Sequence, residues 1–193
     1  GIARIGAVNY TLNDLWKYTV ATGEWTYVSG GTARNLNGIY GVKGVPASAN
    51  IPGGRDGAAG WCDKQGNFWI FGGIGKYSNA PAGTNVWHLN DMWKFDPVNE
   101  EWTWVAGSDT ADRRSTSGPR GIADTANTPG ARRYATTWTD SAGNLWLFGG
   151  QRGFGTATTV YRYNDLWKFD PVNETWTWVS GDTMATHNDG SQG

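Results

Sequence analysis

The chain has 193 residues, a net charge of −1 and 17% charged residues, with 29 Gly and 13 Trp. Near-neutral charge excludes broad electrostatic attraction to nucleic acid or an anionic membrane surface, and no apolar run approaches the roughly 20 residues of a membrane span. Cys62 is the lone cysteine, which excludes an intrachain disulfide framework and a multi-cysteine zinc site.

Aromatic and β-branched runs punctuated by Gly, Asn, Asp and Pro predict an all-β fold. The chain opens Gly-Ile-Ala rather than with Met and shows no secretory leader, so it reads as a processed or trimmed piece. Asn9-Tyr10-Thr11 and Asn173-Glu174-Thr175 fit the glycan acceptor triplet, a pattern common by chance. After residues 1–12 comes the phrase Asn-Asp-hydrophobic-Trp-Lys-aromatic. It begins at Asn13, Asn90 and Asn164, at spacings of 77 and 74 residues. Asn90–Gly107 and Asn164–Gly181 agree at fifteen of eighteen positions, and Asn13–Gly30 is a looser copy. Repetition at such a period means stacked supersecondary units.

The second copy contains four strand-like runs near 55–62, 67–72, 91–96 and 101–106, and the third near 132–139, 144–149, 165–170 and 175–180. Asp63–Asn67 and Asp140–Asn144 join the first pair of runs by tight turns. Asp-Pro-Val-Asn-Glu joins the second pair, with Pro97 and Pro171 presetting the turn and Asp96 and Asp170 initiating it. Four antiparallel strands with short hairpins form one twisted sheet, and such sheets in tandem form a propeller. Residues 1–30 then supply a half blade (third and fourth strands), and 31–107 and 108–181 each a long connection plus a complete blade. Residues 182–193 begin another connection. Twelve of the thirteen Trp fall at repeat-equivalent positions, which assigns them to packing between sheets; Trp87 is the exception.

Gly72-Gly73 with Phe95 and Trp102, Gly149-Gly150 with Phe169 and Trp176, and Tyr18 with Trp25 resemble the kelch repeat over most of residues 13–181. The resemblance implies a kelch-type β-propeller of four-stranded blades, about two and a half of them present, in the architecture shared with the galactose oxidase-like group. The wording of the repeats is most similar to long-repeat bacterial kelch proteins, many presumed secreted. It therefore implies an extracellular or cell-surface location.

Length accumulates on one face. Sixteen residues separate Gly73 from Asn90, thirteen separate Gly150 from Asn164, and the connections Gly30–Gly54 and Gly107–Ala131 run about 25 each. Long loops on a rigid scaffold carry recognition. The two blade-to-blade connections share Gly41/Gly118, Gly44/Gly121, Ala49/Ala126, Asn50/Asn127 and Pro52/Pro129. Two readings stand: the connections pack as part of the repeat, or their non-repeating residues form a ligand or partner surface. For the second, the candidates are Tyr40, Lys43, Tyr77, Trp87, His88, Arg113, Arg114, Arg120, Arg152 and Tyr161. Loop aromatics suit sugar rings or apolar partner side chains.

Arg55 and Arg132 open the innermost strands and are expected to point toward the central channel. There they could hold an anion such as a carboxylate or bond loop carbonyls. Asp14, Asp91 and Asp165 read as turn or edge hydrogen-bonding groups. The galactose oxidase resemblance would require copper ligands, and only His88 and His187 are present, on loops of different repeats. Cys62 reads as a small core residue. Sialic acid epimerase activity also occurs on kelch propellers, yet no transferable motif is found here. Asp109-x-x-Asp112 and Asp182 to Asp189 are weak calcium candidates without the calcium-loop signature, so no catalytic residue, metal site or firm cofactor is assigned.

The expected function is a non-enzymatic extracellular binding or structural module that recognises protein or glycan through the long-loop face. A segment of a secreted carbohydrate-active or oxidase-like enzyme, with its catalytic residues elsewhere, is the alternative. A self-assembling extracellular polymer subunit is the third reading. Further blades of the same protein or copies of this chain are the expected partners of the open ends.

Overall fold

The computed structural model describes residues 1–5, 8–82, 86–153, 160–183 and 186–187, and among them every regular element is a β-strand. The first copy contributes β1 (Ile2–Ile5), β2 (Val8–Thr11), β3 (Leu15–Thr19) and β4 (Glu24–Ser29). The second holds β5 (Arg55–Asp56), β6 (Ala59–Cys62), β7 (Phe68–Gly75), β8 (Trp87–Asp96) and β9 (Glu101–Ala106). The third holds β10 (Ala123–Asp124), β11 (Thr136–Thr139), β12 (Leu145–Phe148), β13 (Gln151–Gly153), β14 (Val160–Arg162), β15 (Leu166–Asp170), β16 (Thr175–Ser180) and β17 (Thr186–His187). The sheets β6-β7-β8-β9 and β11-β12-β15-β16 are four-stranded antiparallel propeller blades, and β3-β4 is the outer half of a third.

Strand alternation gives each blade two apolar faces. In the second blade one face carries Phe68, Ile70, Trp93, Phe95 and Trp102, paired in register across β7, β8 and β9. That face packs against Leu15 and Val28 of the half blade. The opposite face carries Trp61, Trp69, Phe71 and Met92, and packs on Leu145, Leu147, Trp167, Phe169 and Trp176 of the third blade. Trp69 meets Phe169 at 5.3 Å and Phe71 meets Trp176 at 5.4 Å between ring centres. Burying one such indole contributes about 4–6 kcal/mol gross, against about 1 kcal/mol net for its N–H hydrogen bond. Ring burial therefore holds the blades together, and the polar atoms orient them.

The double glycine is required by this stacking. Gly72 has φ of +64°, and a Cβ there would lie 2.8 Å from the Arg132 carbonyl of the next blade, while Gly73 N–H donates to that same carbonyl at 2.7 Å.

The turns follow the expected chemistry. Asp63 accepts from the Asn67 backbone and side chain and from Trp69 Nε1, and Asp140 does the same for Asn144 and Trp146. These bonds to its charged form hold the Asp140 carboxyl well below the usual range.

The inner run differs from one continuous strand over 55–62 or 132–139. Gly57 and Tyr134 both adopt left-handed backbone, with φ of +63° and +58°, and break it. The bend lets the preceding arginine reach beneath the sheet. Arg55 donates two hydrogen bonds to Asp91, at 2.8 and 2.7 Å, and Arg132 two to Asp165, at 2.5 and 2.7 Å. Both aspartates are 0% exposed. The same arginines donate to the carbonyls of Gly53 and Gly72, or Gly130 and Gly149, and Trp93 and Trp167 donate their indole N–H to the same carboxylates. Asp91 and Asp165 are thus buried ion-pair centres rather than turn or edge groups. Asp14 is exposed and accepts from the Trp16 indole at 2.7 Å.

The connections 31–54 and 108–131 lie against the outer strand of the blade that follows each of them. Ala47 bridges Trp102, and β10 pairs with β16. Asn50 Nδ2 donates to the carbonyls of Val45 and Trp102, and Asn127 Nδ2 to those of Ile122 and Trp176. The shared residues of these connections are straps that cover an otherwise open sheet edge. The second-to-third connections are shorter than their sequence length, because β7 with β8, and β13 with β14, continue as ribbons beyond the double glycines.

Replacing Asp165 by Asn strands the Arg132 charge in the interior. The expected loss is about 3–5 kcal/mol of unfolding free energy in urea titrations, whereas Asp14→Asn is expected to cost less than about 1 kcal/mol.

Candidate functional site

The ribbons bring aromatics to one level. Leu12, Leu89 and Tyr163 close equivalent positions, with Leu12 N–H on Gly1 and Tyr163 N–H on Gly150. Two residues earlier stand Tyr10, Trp87 and Tyr161, paired with Ala3, Gly75 and Arg152. Trp87 is therefore not outside the repeat; it is the middle member of a row of half-buried aromatics, each three residues before an Asn-Asp phrase. The Trp87 indole nitrogen is buried and has no hydrogen-bond partner among the described residues.

The start of each connection joins its ribbon, with Asn35 N–H donating to the Thr11 carbonyl at 2.9 Å and Asp112 N–H to the His88 carbonyl at 2.8 Å. Four aligned positions then change character between the two interfaces: Thr11 becomes His88, Asn35 becomes Asp112, Asp56 becomes Arg133 and Gly75 becomes Arg152. Packing alone tolerates the less charged set at the first interface, so the charged set at the second is a local addition. His88 Nδ1 lies 3.9 Å and Arg152 Nε 3.7 Å from Asp112 Oδ1, and Arg152 Nη2 donates to the Asp112 carbonyl at 2.8 Å. Burial, helped by Arg133 and Arg152, lowers the His88 pKa to about 4. Burial raises the Asp112 carboxyl against the pull of Arg152. His88 is 5% exposed and its Nε2 accepts from Gly153 N–H at 3.4 Å. The enclosed imidazole thus lies between two blades, with that nitrogen turned toward the Gly153 N–H.

Asp112 also borders an open cleft of about 770 Å³ between the second blade and the strap of the third. Lys43, Arg113 and Arg114 supply cations there, Ser115 and Thr116 supply hydroxyls, and Glu174 is the other acid on the wall. Arg113 donates through Nε to Thr110 Oγ1 at 2.8 Å, and Lys43 donates to the Gly107 carbonyl at 2.7 Å.

The remaining expected site residues disperse. Tyr40 is 5% exposed, packs on Trp93 and Trp104, and donates to Asp91 at 2.7 Å, so it belongs to the blade interior. Burial, with Asp91, pushes its phenol well up and keeps it a donor. Arg120 lies over Trp178 as Lys43 lies over Trp104, at 4.8 and 4.3 Å; both strap cations cover tryptophans of the outer strands β16 and β9. Tyr77 is half-buried in the connection after β7. Arg55 and Arg132 are enclosed by their ion pairs and bond loop carbonyls, the second of the two readings, rather than pointing freely into the channel. Cys62 is exposed rather than a core residue, because it sits on the face of the second blade that the half blade leaves partly uncovered.

Among the described residues no group of three or more His, Cys, Asp or Glu could hold a metal ion. The His187 side chain and Asp189 lie outside the described residues. Arg133 is not singled out by the repeat pattern. The aligned change from Asp56 was its available signal.

No family model matches the chain. Over 64 residues it is 34% identical to N-acetylneuraminate epimerase of Yersinia enterocolitica, a match covering 33% of this chain and 14% of that relative. A solved structure titled "Structure of YjhT" aligns with a TM-score of 0.49 and 18% identity, over 94% of this chain and 49% of the other. The chain thus spans about half the length of that solved chain, and the matched stretch far less of the curated relative.

Unfolded His88 titrates near its ordinary 6.5 and folded His88 near 4. The unfolded state therefore binds more protons between those values, and the His88 contribution is present above about pH 6.5 and lost as pH falls toward 4. Thermal melts of His88→Gln are expected to lose that part of the acid sensitivity, with the raised Asp112 carboxyl opposing it more weakly at the low end.

Proposed function

We propose that the chain is a segment of a kelch-type β-propeller that serves as a non-enzymatic recognition module, extracellular or at the cell surface, and binds acidic, hydroxyl-rich saccharides on its long-loop face. The observation that carries this reading is the cleft bordered by Lys43, Arg113 and Arg114, with Ser115 and Thr116 among its walls. Arginine forks and an ammonium group match a carboxylate, and serine, threonine and backbone groups match sugar hydroxyls. N-acetylneuraminate, the sugar in the name of the similar Yersinia protein, is of this ligand class. The enclosure of His88 favours binding over proton transfer.

A second reading, a segment of a carbohydrate-active enzyme whose reacting groups lie on other blades, is favoured by the same 64-residue similarity.

Calorimetric titration with N-acetylneuraminate tests the proposal. Arg113→Ala and Arg114→Ala are each expected to weaken binding by at least about tenfold, and the uncharged methyl ester to bind like the double variant. Equal affinity for acid and ester would remove the cationic cleft from the site. Conversion of the sugar by the chain itself would favour the enzyme reading.

A further inference from the structure

The cleft beside Arg113 is walled by the second blade and by the strap of the third, both of them complete. The strap orders the groups along one wall. Its two arms run antiparallel, with Ala131 N–H on the Arg113 carbonyl, Gly130 N–H on Ser115 Oγ, Thr116 bridged to Thr128, and Gly118 N–H on Asn127 Oδ1. Asn127 is then fastened to Trp176, close in the chain to Glu174 of the hairpin turn. Arg113 and Glu174 thus stand at opposite ends of the wall. The arm from Arg113 to Gly118 alone spans about 16 Å at the extended rise per residue, longer than one sugar ring. The cleft volume of about 770 Å³ likewise lies in the upper part of the roughly 300–1,000 Å³ usual for ligand pockets.

The first strap has the same frame and different chemistry. Where the second carries Arg113, Arg114, Thr116 and Thr128, the aligned positions of the first hold Leu36, Asn37, Ile39 and Ile51. The bridge Ile39–Ile51 corresponds to Thr116–Thr128. The strap therefore folds with either pair, and the hydroxyls and guanidinium groups are additions that packing does not require. Charge is unevenly placed as well. Lys43 donates to the Gly107 carbonyl, just before the strap that carries Arg113 and Arg114. Asp112, the acid at this cationic end, is turned to His88 and Arg152. Glu174 marks the far end, 3.7 Å from Lys94 of the second blade.

We propose that the cleft takes an acidic oligosaccharide lengthwise, with its terminal acidic sugar at Arg113 and Arg114 and uncharged sugars along Thr116 and Thr128 toward Glu174. This deepens the saccharide reading above and rests on it. The threonine hydroxyls exchange hydrogen bonds with sugar hydroxyls, and the Glu174 carboxylate accepts from them. A second carboxylate brought to Glu174 meets like charge instead. The cleft therefore selects a chain that is acidic at one end only.

Calorimetric titration with N-acetylneuraminate, N-acetylneuraminyl-lactose and the linear trimer of N-acetylneuraminate tests this. The lactosyl ligand is expected to bind at least about tenfold tighter than the free sugar, and the trimer at least about threefold weaker than the lactosyl ligand. Thr116→Ile with Thr128→Ile installs residues that the first strap already accommodates. It is expected to cut the lactosyl advantage over the free sugar to below about threefold. Glu174→Gln is expected to bring the trimer level with the lactosyl ligand. Equal affinity for the free sugar and the lactosyl ligand confines recognition to one sugar and overturns the lengthwise site, while the saccharide reading stands. A trimer that binds the unsubstituted chain as tightly as the lactosyl ligand overturns the selection by charge. Absence of binding by all three ligands overturns the saccharide reading and this proposal with it.

Discussion

The buried arginine–aspartate pair of each complete blade is the constraint on which the rest of the structure depends. Arg55 and Arg132 sit on the innermost strand run, and Asp91 and Asp165 two strands away at the start of the third. Each ion pair therefore spans the sheet and fixes the distance between the channel side and the middle of the blade. Both charges are desolvated, and such an arrangement is tolerated only when every polar atom has a partner. The partners are what organise the surroundings: two loop carbonyls on the arginine, an indole N–H on the carboxylate, and in the second blade the Tyr40 hydroxyl as well. The indole is also a packing element, because holding Trp93 by its nitrogen turns the ring into the inter-blade core. Charge, turn geometry and aromatic packing are coupled through one carboxylate.

This coupling explains which parts of the fold were legible. Strand order, turns and blade count follow from repetition and from local rules, such as Asp before Pro or a double glycine after an aromatic run, and these survive into the structure. The Arg–Asp pairing was not legible, because residues 36 and 33 positions apart carry no local signal of contact. The breaks at Gly57 and Tyr134 were hidden for a related reason, since a tyrosine in left-handed backbone runs against intrinsic preference and is held there by tertiary context. Tyr40 looked like a loop residue by position. It is interior because the strap folds back onto the sheet.

The candidate site was only partly readable. Lys43, Arg113 and Arg114 were visible as cations of the connections, and the structure brings them to one cleft. Arg133 was obscured by its neighbour Arg132, whose role is structural. The row Tyr10, Trp87, Tyr161 was present in the sequence as a constant offset from the Asn-Asp phrase, and ribbon register shows that its members stand at one level. Identity between repeats reports what packing requires, and divergence at aligned positions is the better guide to chemistry.

The straps bear on how such a chain can be cut and rejoined. Each strap precedes in sequence the blade whose rim it covers, so residues 31–107 carry their own edge protection and owe none to the third blade. A duplication or exchange bounded at Gly30 and Gly107 moves a finished module, lid included. A boundary placed between strap and sheet would leave one module with a bare rim and another with an orphaned lid. The seam along which this repeat can multiply is therefore set by Asn50 and Asn127, two amides that fasten a connection to a strand it does not adjoin in sequence.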